Sequence, residues 1–257
     1  MTATPVVFLH GIGSSARGWM PQIESFPAAG FHVVAVDLLG YGGRPPVDAM
    51  DFESLAADVE AFIARKRLDR PVLVGHSLGG MIAQTMLRRR PDGYRAAVLA
   101  CTSPAFGNPA GDFQRQFVAD RLAPLDAGRS LAELAAEMVD RVMAENPDPA
   151  GRRLAIETMA KTPARTYRAA VRCLVTFDER ANLGNIRVPV LCLAGERDPN
   201  APAAMMERMA AKIPGARYTC LPGAGHLPNL EMPRAFDAAI FDFLRDVLVQ
   251  AESRSDA

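Results

Sequence analysis

The stretch Pro71-Val72-Leu73-Val74-Gly75-His76-Ser77-Leu78-Gly79-Gly80 decides how the rest of the chain is interpreted. Its first part, residues 71–74, is typical of a buried parallel strand, and residues 80–88 have the composition of a helix. Between them, residues 75–79 follow the pattern Gly-x-Ser-x-Gly. A serine on a sharp turn from strand to helix projects its hydroxyl from the sheet edge, and flanking glycines avoid clashes with the crowded backbone. This context predicts that Ser77 is a nucleophile rather than part of an ordinary turn.

The composition argues against several classes of partner. The 257 residues include 29 basic and 29 acidic side chains, so the formal net charge is zero. This balance gives no electrostatic reason to expect nucleic acid or an anionic membrane surface as a partner. Because 49% of the residues are hydrophobic, the chain can bury a substantial core, in one large domain or two small ones.

The cysteines and the start of the chain bear on compartment and metal binding. Cys101, Cys173, Cys192 and Cys220 show no Cys-x-x-Cys spacing, and three of them lie in apolar runs. Such cysteines are typical of small buried side chains in a reducing compartment. No apolar run is long enough to span a membrane, and residues 1–4 lack the basic and apolar segments of a signal peptide. We expect a cytoplasmic protein with no bound metal and no cofactor.

Apolar segments alternate with helical patterns along much of the chain. Such alternation is typical of a parallel sheet covered by helices on both faces, which places the chain in the α/β class. The predicted strands are residues 5–9, 31–36, 71–74, 96–100, 188–194 and 217–221.

The alternation stops between residues 103 and 185, where no strand is predicted. Breaks at Pro, Gly and Asn separate four segments with helical patterning in this region. A helical block inserted into an α/β sheet is most simply a cap over the carboxyl ends of the strands, where open parallel sheets build their sites. We therefore assign residues 1–103 and 185–257 to an α/β core and residues 104–184 to a cap, with a second independent domain as the alternative.

A serine hydroxyl needs a base to take its proton, and His226 is the candidate. It lies in a loop directly after the last predicted strand, which brings it to the same edge of the sheet as Ser77. The other histidines fit less well, because His10 and His76 lie in glycine turns and His32 opens a strand. The alternative is that His226 is an ordinary histidine of a surface loop.

The base in turn needs a carboxylate that fixes its tautomer and stabilises the imidazolium. Asp198 follows the strand at residues 188–194 and is our candidate, with Glu196 as the weaker alternative. Asp178 falls in the cap region and fits less well. Asp37 also ends a strand but precedes the serine, and we expect it to accept N–H bonds from a loop.

A carbonyl under attack develops an oxyanion that needs two backbone donors. The N–H of Leu78, directly after the serine, is the first candidate. The second is the N–H of Ile12, because His10-Gly11 would bring the loop after the first strand close to Ser77 without a side chain in the way.

The pocket is expected between Ser77 and the cap. A substrate that carries a carboxylate would need a cationic partner there. The candidate apolar wall residues, which core packing would explain equally well, are Trp19, Phe106, Phe113, Phe117 and Phe177. The arginines of the cap region, among which the sequence does not distinguish, are Arg115, Arg121, Arg141 and Arg168.

These features occur in the order of a known family. They are His10-Gly11, Asp37-x-x-Gly-x-Gly, the serine turn, Gly195-Glu196-Arg197-Asp198 and Gly225-His226-Leu227-Pro228. The chain resembles α/β-hydrolase-fold serine hydrolases over nearly its whole length. The cap length and the closing residues 225–233 resemble bacterial 3-oxoadipate enol-lactonases and related esterases. The resemblance implies a mostly parallel sheet with an inserted helical cap. It also implies hydrolysis of a small-molecule ester or lactone through an acyl-enzyme, with 3-oxoadipate enol-lactone of aromatic catabolism as one candidate.

Two features depart from the family pattern. The chain begins almost at the first predicted strand, whereas relatives usually carry an antiparallel hairpin before it. We therefore expect about six parallel strands, with residues 31–36 at or near an exposed edge. Such an edge must be covered or can pair with another copy, so a homo-oligomer stays open. Residues 10–15 lack the Gly-Pro-Gly ending of meta-cleavage-product hydrolases, which disfavours carbon–carbon bond hydrolysis.

Two further functions stay open at this point. Cofactor-free perhydrolysis or haloperoxidation would use the same serine, histidine and aspartate. A receptor-like member of the fold would bind a ligand without catalysis, and loss of one of these three residues would favour it.

Overall fold

The computed structural model describes residues 3–106 and 110–255, with side chains described up to residue 249. The predicted cap range 104–184 therefore includes residues 107–109, which lie outside the described residues. The strands of the described part are β1 Thr4–Leu9, β2 Phe31–Val36, β3 Val72–His76, β4 Ala96–Ala100, β5 Val190–Gly195 and β6 Arg217–Leu221. Its α-helices are α1 Met20–Ser25, α2 Phe52–Arg65, α3 Leu78–Arg89, α4 Asp112–Asp126, α5 Leu131–Asp140, α6 Pro149–Ala160, α7 Ala164–Leu174, α8 Ala203–Ala210, α9 Pro228–Glu231 and α10 Pro233–Ser255. Short 3-10 helices cover Ala16–Trp19, Pro27–Ala29 and Arg180–Asn185.

The described strands form one parallel sheet in the order β2-β1-β3-β4-β5-β6. This confirms the predicted α/β class, the six parallel strands and the edge position of β2. The strand order changes direction between β1 and β3, and in open α/β sheets the crevice at such a point holds the ligand. Pairing of Leu9 with Gly75 in these two strands places the loop after β1 beside the serine turn.

Both faces of the sheet are buried because apolar side chains alternate between them. In β1, Val7 and Leu9 enter a cluster that includes residues of α2 and α3, whereas Val6 and Phe8 enter a cluster with residues of α10. A sheet covered on both faces explains why the strands read as nearly continuous apolar runs.

The α-helices α4 to α7 lie between β4 and β5, and we refer to them as the helical insertion. Local capping fixes two of their starts. Ser130 forms a capping box with Glu133 at the start of α5, and Asp148 accepts the Gly151 N–H at the start of α6. The insertion has its own apolar cluster, which includes Leu122, Leu134, Tyr167 and Val171.

No helix formed by the described residues is both long enough and apolar enough to cross a bilayer.

Candidate active site

The serine turn depends on two glycines. Ser77 has a φ of 52°, in the left-handed region that residues other than glycine rarely adopt. A Cβ atom on Gly75 would lie 2.4 Å from the Gly79 carbonyl oxygen, and one on Gly79 would lie 2.1 Å from the Leu9 carbonyl oxygen. No side chain fits at either position, so strand, turn and helix can pack this closely only with glycine there. The turn follows β3, a central strand, at the carboxyl edge of the sheet.

Ser77, His226 and Asp198 come together at this edge. The Ser77 hydroxyl lies 3.1 Å from His226 Nε2. On the other side of the ring, Nδ1 lies 2.9 and 2.8 Å from the two carboxylate oxygens of Asp198. Because a carboxylate only accepts hydrogen bonds, Nδ1 carries the proton and Nε2 can accept from the serine. The arrangement can therefore deprotonate Ser77 and stabilise the resulting imidazolium.

The backbone around Asp198 also holds its carboxylate. Oδ1 accepts the N–H groups of Asn200 at 2.8 Å and Ala201 at 2.9 Å. Burial by itself raises the pKa of Asp198, but the neighbouring His226 and these hydrogen bonds together lower that pKa below its usual value. The carboxylate is therefore ionised at neutral pH, which is the state that supports an imidazolium.

The alternative acids lie elsewhere or have other partners. Glu196 is exposed and accepts the Gly223 N–H at 2.8 Å. Asp178 forms an ion pair with the arginine two residues further along the chain. Asp37 accepts the Ala16 N–H at 2.7 Å, which is the structural role expected for it.

Both predicted oxyanion donors lie near the serine. Leu78 is the first residue of α3, so its N–H has no acceptor within the helix. Gly11 brings the loop after β1 against the turn, since a Cβ atom there would lie 3.2 Å from the Ser77 Cβ. Ile12 follows it and lines the same cavity as Ser77.

A cavity of about 480 Å³ opens at Ser77 and His226. Residues of α4 and α7 in the helical insertion form much of its wall. Among the predicted wall residues, Phe106, Phe113 and Phe117 line this cavity. The ring centroids of Phe106 and Phe117 are 4.6 Å apart, so these two rings form a packed apolar surface.

Trp19 and Phe177 do not line this cavity, so the prediction is wrong for them. Trp19 lies in the core against Phe8 and Phe236, with ring centroids 4.8 and 6.0 Å away. Phe177 is buried against Phe52 at 4.6 Å. Both side chains pack in the core, which is the other explanation that the sequence allowed for these residues.

The profile described as Alpha/beta hydrolase family matches residues 6–239. The chain belongs to the alpha/beta hydrolase family. Solved structures also match the chain along nearly its whole length. An esterase from Thermogutta terrifontis, solved with malate bound, gives a TM-score of 0.84 at 26% identity and covers 96% of this chain and 91% of that one.

Two curated relatives in the alpha/beta hydrolase family differ in assigned activity. BpoC of Mycobacterium tuberculosis, which bears the provisional name of a non-heme bromoperoxidase, is 30% identical over 257 residues, covering 96% of this chain and 95% of that protein. 3-oxoadipate enol-lactonase 1 of Acinetobacter baylyi is 26% identical over 248 residues, covering 95% of this chain and 90% of that protein. Since relatives of similar identity carry names with different activities, membership of the family does not by itself identify a substrate.

The structure adds a residue that sequence reasoning did not single out. Glu231 is buried at the end of α9 and accepts three backbone N–H groups. Its Oε2 accepts from Ala144 at 2.8 Å and from Gly225 at 2.9 Å, and its Oε1 accepts from Leu227 at 2.7 Å. Two of these donors flank His226, so Glu231 holds the loop that carries the base. The sequence feature that could have identified Glu231 is its position in the closing segment, five residues after His226.

Two buried histidines next to the site are neutral. His76 Nε2 donates to the His226 carbonyl oxygen at 2.6 Å, and burial lowers the His76 pKa to about 3. His10 Nε2 accepts the Leu38 N–H at 3.2 Å, and burial lowers the His10 pKa to about 4. A neutral His76 leaves the positive charge that develops during a reaction to His226.

Cys101, Asp198 and His226 place potential metal-ligand atoms within 4.8 Å of one another. Burial is the main cause that raises the pKa of the Cys101 thiol well above its ordinary value, and the nearby charge of Asp198 is the second cause. Since a thiolate is the form that binds metal, this raised pKa works against ligation by Cys101. A metal here would also have to replace the hydrogen bonds between His226 and Asp198.

Proposed function

We propose that the protein is a serine hydrolase that cleaves an ester or lactone bond of a small molecule. The contact between Ser77 and His226, at 3.1 Å, together with the pairing of His226 and Asp198, carries this proposal. The esterase and enol-lactonase relatives support it. A cavity of about 480 Å³ is a suitable size for a small substrate. Residues 104–184 would act as the cap that shapes this cavity.

The proposed reaction has two steps. His226 takes the proton of Ser77 as Oγ attacks the carbonyl carbon, while the N–H groups of Ile12 and Leu78 stabilise the oxyanion. When the intermediate collapses, the bond to the leaving oxygen breaks, and His226 gives that oxygen the proton. Water then attacks the acyl-serine with His226 as base, which releases the acid and returns a proton to Ser77.

Substitution of Ser77 by alanine tests the nucleophile. We expect kcat for p-nitrophenyl butyrate to fall on the order of 10⁴-fold or more. Ser54→Ala is the matched control, because Ser54 is exposed on α2 and is not among the residues that line the cavity, and this variant should keep wild-type activity. Unchanged turnover in Ser77→Ala would show that another group attacks the ester.

Covalent labelling separates an enzyme from a ligand receptor. Wild-type protein treated with a fluorophosphonate should gain the phosphonyl mass on the peptide that contains Ser77, because only an activated serine reacts quickly. Denatured protein is the control and should not be labelled. A native protein that stays unlabelled would favour a binding role.

A substrate comparison addresses the bond that is cleaved. Initial rates should be compared for 3-oxoadipate enol-lactone, a simple p-nitrophenyl ester and a dienone diketo acid. Similarity to the enol-lactonase of Acinetobacter baylyi favours the lactone. Faster turnover of the diketo acid would indicate carbon–carbon bond hydrolysis instead.

Perhydrolysis is a second candidate, favoured by the similarity to BpoC. In that reaction acetic acid acylates Ser77 with loss of water, and hydrogen peroxide then replaces water in the second step, attacks the acetyl-Ser77 and frees the serine hydroxyl. The product is peracetic acid, which can oxidise bromide. Bromination of monochlorodimedone in acetate, peroxide and bromide measures it, and Ser77→Ala should abolish the enzyme-dependent rate.

A further inference from the structure

Among the four arginines considered as cationic partners of a substrate, Arg121 differs from the other three. Arg115 pairs with Asp112, Arg141 with Glu137 and Arg168 with Asp126. Arg121, on α4, forms no ion pair with any carboxylate among the side chains that the structure describes. Arginine is always charged, so this guanidinium keeps a net positive charge that no described neighbour neutralises.

The partners of Arg121 are neutral. Its guanidinium carbon lies 4.9 Å from the centre of the Phe117 ring, and its Nη2 donates to the Asn200 side-chain oxygen at 3.4 Å. Burial raises the pKa of Tyr167, and the nearby charge of Arg121 opposes this effect. A guanidinium has five N–H donors, so donors are left for a ligand.

Arg121 faces the cavity that contains Ser77. Both residues line it, together with His226. None of the described residues that line it is an aspartate or a glutamate, and much of the wall is aromatic or aliphatic. A single uncompensated cation in an apolar cavity favours an anion, because the low local dielectric strengthens their attraction.

The position of Arg121 is coupled to the proposed catalytic residues. The side chain of Asn200 accepts from Arg121, and the backbone N–H of Asn200 donates to Asp198. Two hydrogen bonds through Asn200 therefore connect the guanidinium to Asp198, the partner of His226. An anion bound there would be oriented with respect to Ser77.

We propose that Arg121 selects substrates that carry a carboxylate in addition to the ester or lactone that is cleaved. This inference rests on the proposed function and adds a substrate class to it. The planar guanidinium can bind a carboxylate through two parallel N–H bonds, which gives orientation as well as affinity. Neutral esters of the same length would bind without this contact.

A pair of matched substrates tests the inference. The p-nitrophenyl monoester of adipic acid carries a free carboxylate, and the p-nitrophenyl ester of adipamic acid replaces it with a neutral amide of the same shape. Arg121→Met should lower kcat/KM for the carboxylate ester by about 10- to 100-fold, mainly through KM, since hydrogen bonds to charged groups are the stronger ones. It should leave the amide ester within about twofold, while Arg121→Lys should retain part of the preference for the carboxylate.

Arg115→Met is the matched control, because Arg115 lies on the same helix and is exposed and already paired. It should leave both substrates unchanged. An equal loss for both substrates in Arg121→Met would overturn the inference and assign Arg121 a structural role. Unchanged kinetics for both would overturn it as well.

A binding measurement separates this inference from the proposed function. Isothermal titration calorimetry with adipate should give a Kd at least about tenfold weaker for Arg121→Met than for wild type. Equal affinities would overturn the role of Arg121 even if Ser77 proves essential for turnover. Conversely, weaker adipate binding combined with Ser77-independent turnover would support the anion site and overturn the proposed hydrolase mechanism.

Discussion

Changing Glu231 to glutamine should loosen the loop that carries His226. The Glu231 carboxylate accepts N–H groups from Gly225 and Leu227 on the two sides of the histidine, and from Ala144 in the loop after α5. His226 itself donates its backbone N–H to the Val142 carbonyl oxygen at 2.8 Å. One buried carboxylate therefore joins the loop of the base to the helical insertion.

The size of the effect follows from the donors. A glutamine has one accepting oxygen, so its amide nitrogen must face either Leu227 or the pair Ala144 and Gly225, and one or two hydrogen bonds are lost. A hydrogen bond to a charged group contributes about 1.5–3 kcal/mol, so the free energy of unfolding should fall by about 1.5–6 kcal/mol. In a protein of this size 1 kcal/mol shifts Tm by about 2–4 °C, which gives a decrease of roughly 3–24 °C.

Differential scanning calorimetry and p-nitrophenyl ester kinetics measure the two consequences. Glu196→Gln is the control, because that carboxylate is exposed and accepts a single N–H, from Gly223. Its Tm should change by less than about 2 °C, as is usual for surface substitutions. Glu231→Gln should also lower kcat, since His226 is no longer held in one position. The same Tm for both variants would refute the assigned role of Glu231.

Two further predictions concern acid and the serine turn. His10 and His76 have pKa values lowered by burial to about 4 and about 3, so below pH 6.5 the unfolded chain binds more protons than the folded one. Stability should therefore fall as the pH decreases from 6.5, by about 2 kcal/mol per histidine at pH 5, and equal urea midpoints at pH 7 and pH 5 would contradict this. Gly79→Ala should give little folded protein, because the new Cβ would lie 2.1 Å from the Leu9 carbonyl oxygen. Gly184→Ala, which places a Cβ in open space, should show a soluble yield and Tm close to wild type, and equal yields for both variants would count against this argument.

Local chemistry made the serine turn predictable from the sequence. Gly75 and Gly79 are required because a Cβ atom at these positions would lie 2.4 and 2.1 Å, respectively, from a backbone carbonyl oxygen. In the sequence this constraint takes the form of the pattern Gly-x-Ser-x-Gly. The positions of Asp198 and His226 followed from topology, since loops at the carboxyl ends of parallel strands meet at one edge of the sheet. Both arguments use only neighbours in the chain and the direction of strands.

The wall of the cavity was not predictable in the same way. Phe117 and Phe177 are the same residue type in the same region, yet Phe117 lines the cavity and Phe177 packs against Phe52. Trp19 is buried because α10, which begins more than two hundred residues later, supplies Phe236 as its partner. Such contacts depend on how helices pack, and sequence periodicity gives only the face of a helix, not the element that it meets.

The end of α5 shows how a distant segment decides local structure. Helical patterning continues to Met143, but the helix ends at Asp140. Beyond it, the Val142 carbonyl accepts the His226 N–H and the Ala144 N–H donates to Glu231. The backbone leaves the helix where it meets the loop of the base, and a pattern confined to the insertion carries no information about that loop.

The helical insertion therefore contacts the site in two separate ways. At α4 it presents Arg121 to the cavity, where we infer that substrate is selected. After α5 it supplies Val142 and Ala144, which position the loop of His226. Substitutions at Arg121 should change substrate preference and leave the His226 loop intact, because none of the hydrogen bonds that hold this loop involves Arg121. Replacing the segment after α5 that carries Val142 and Ala144 with a different sequence should instead lower kcat by the same factor for every substrate. The position of His226 does not depend on which substrate the cavity holds.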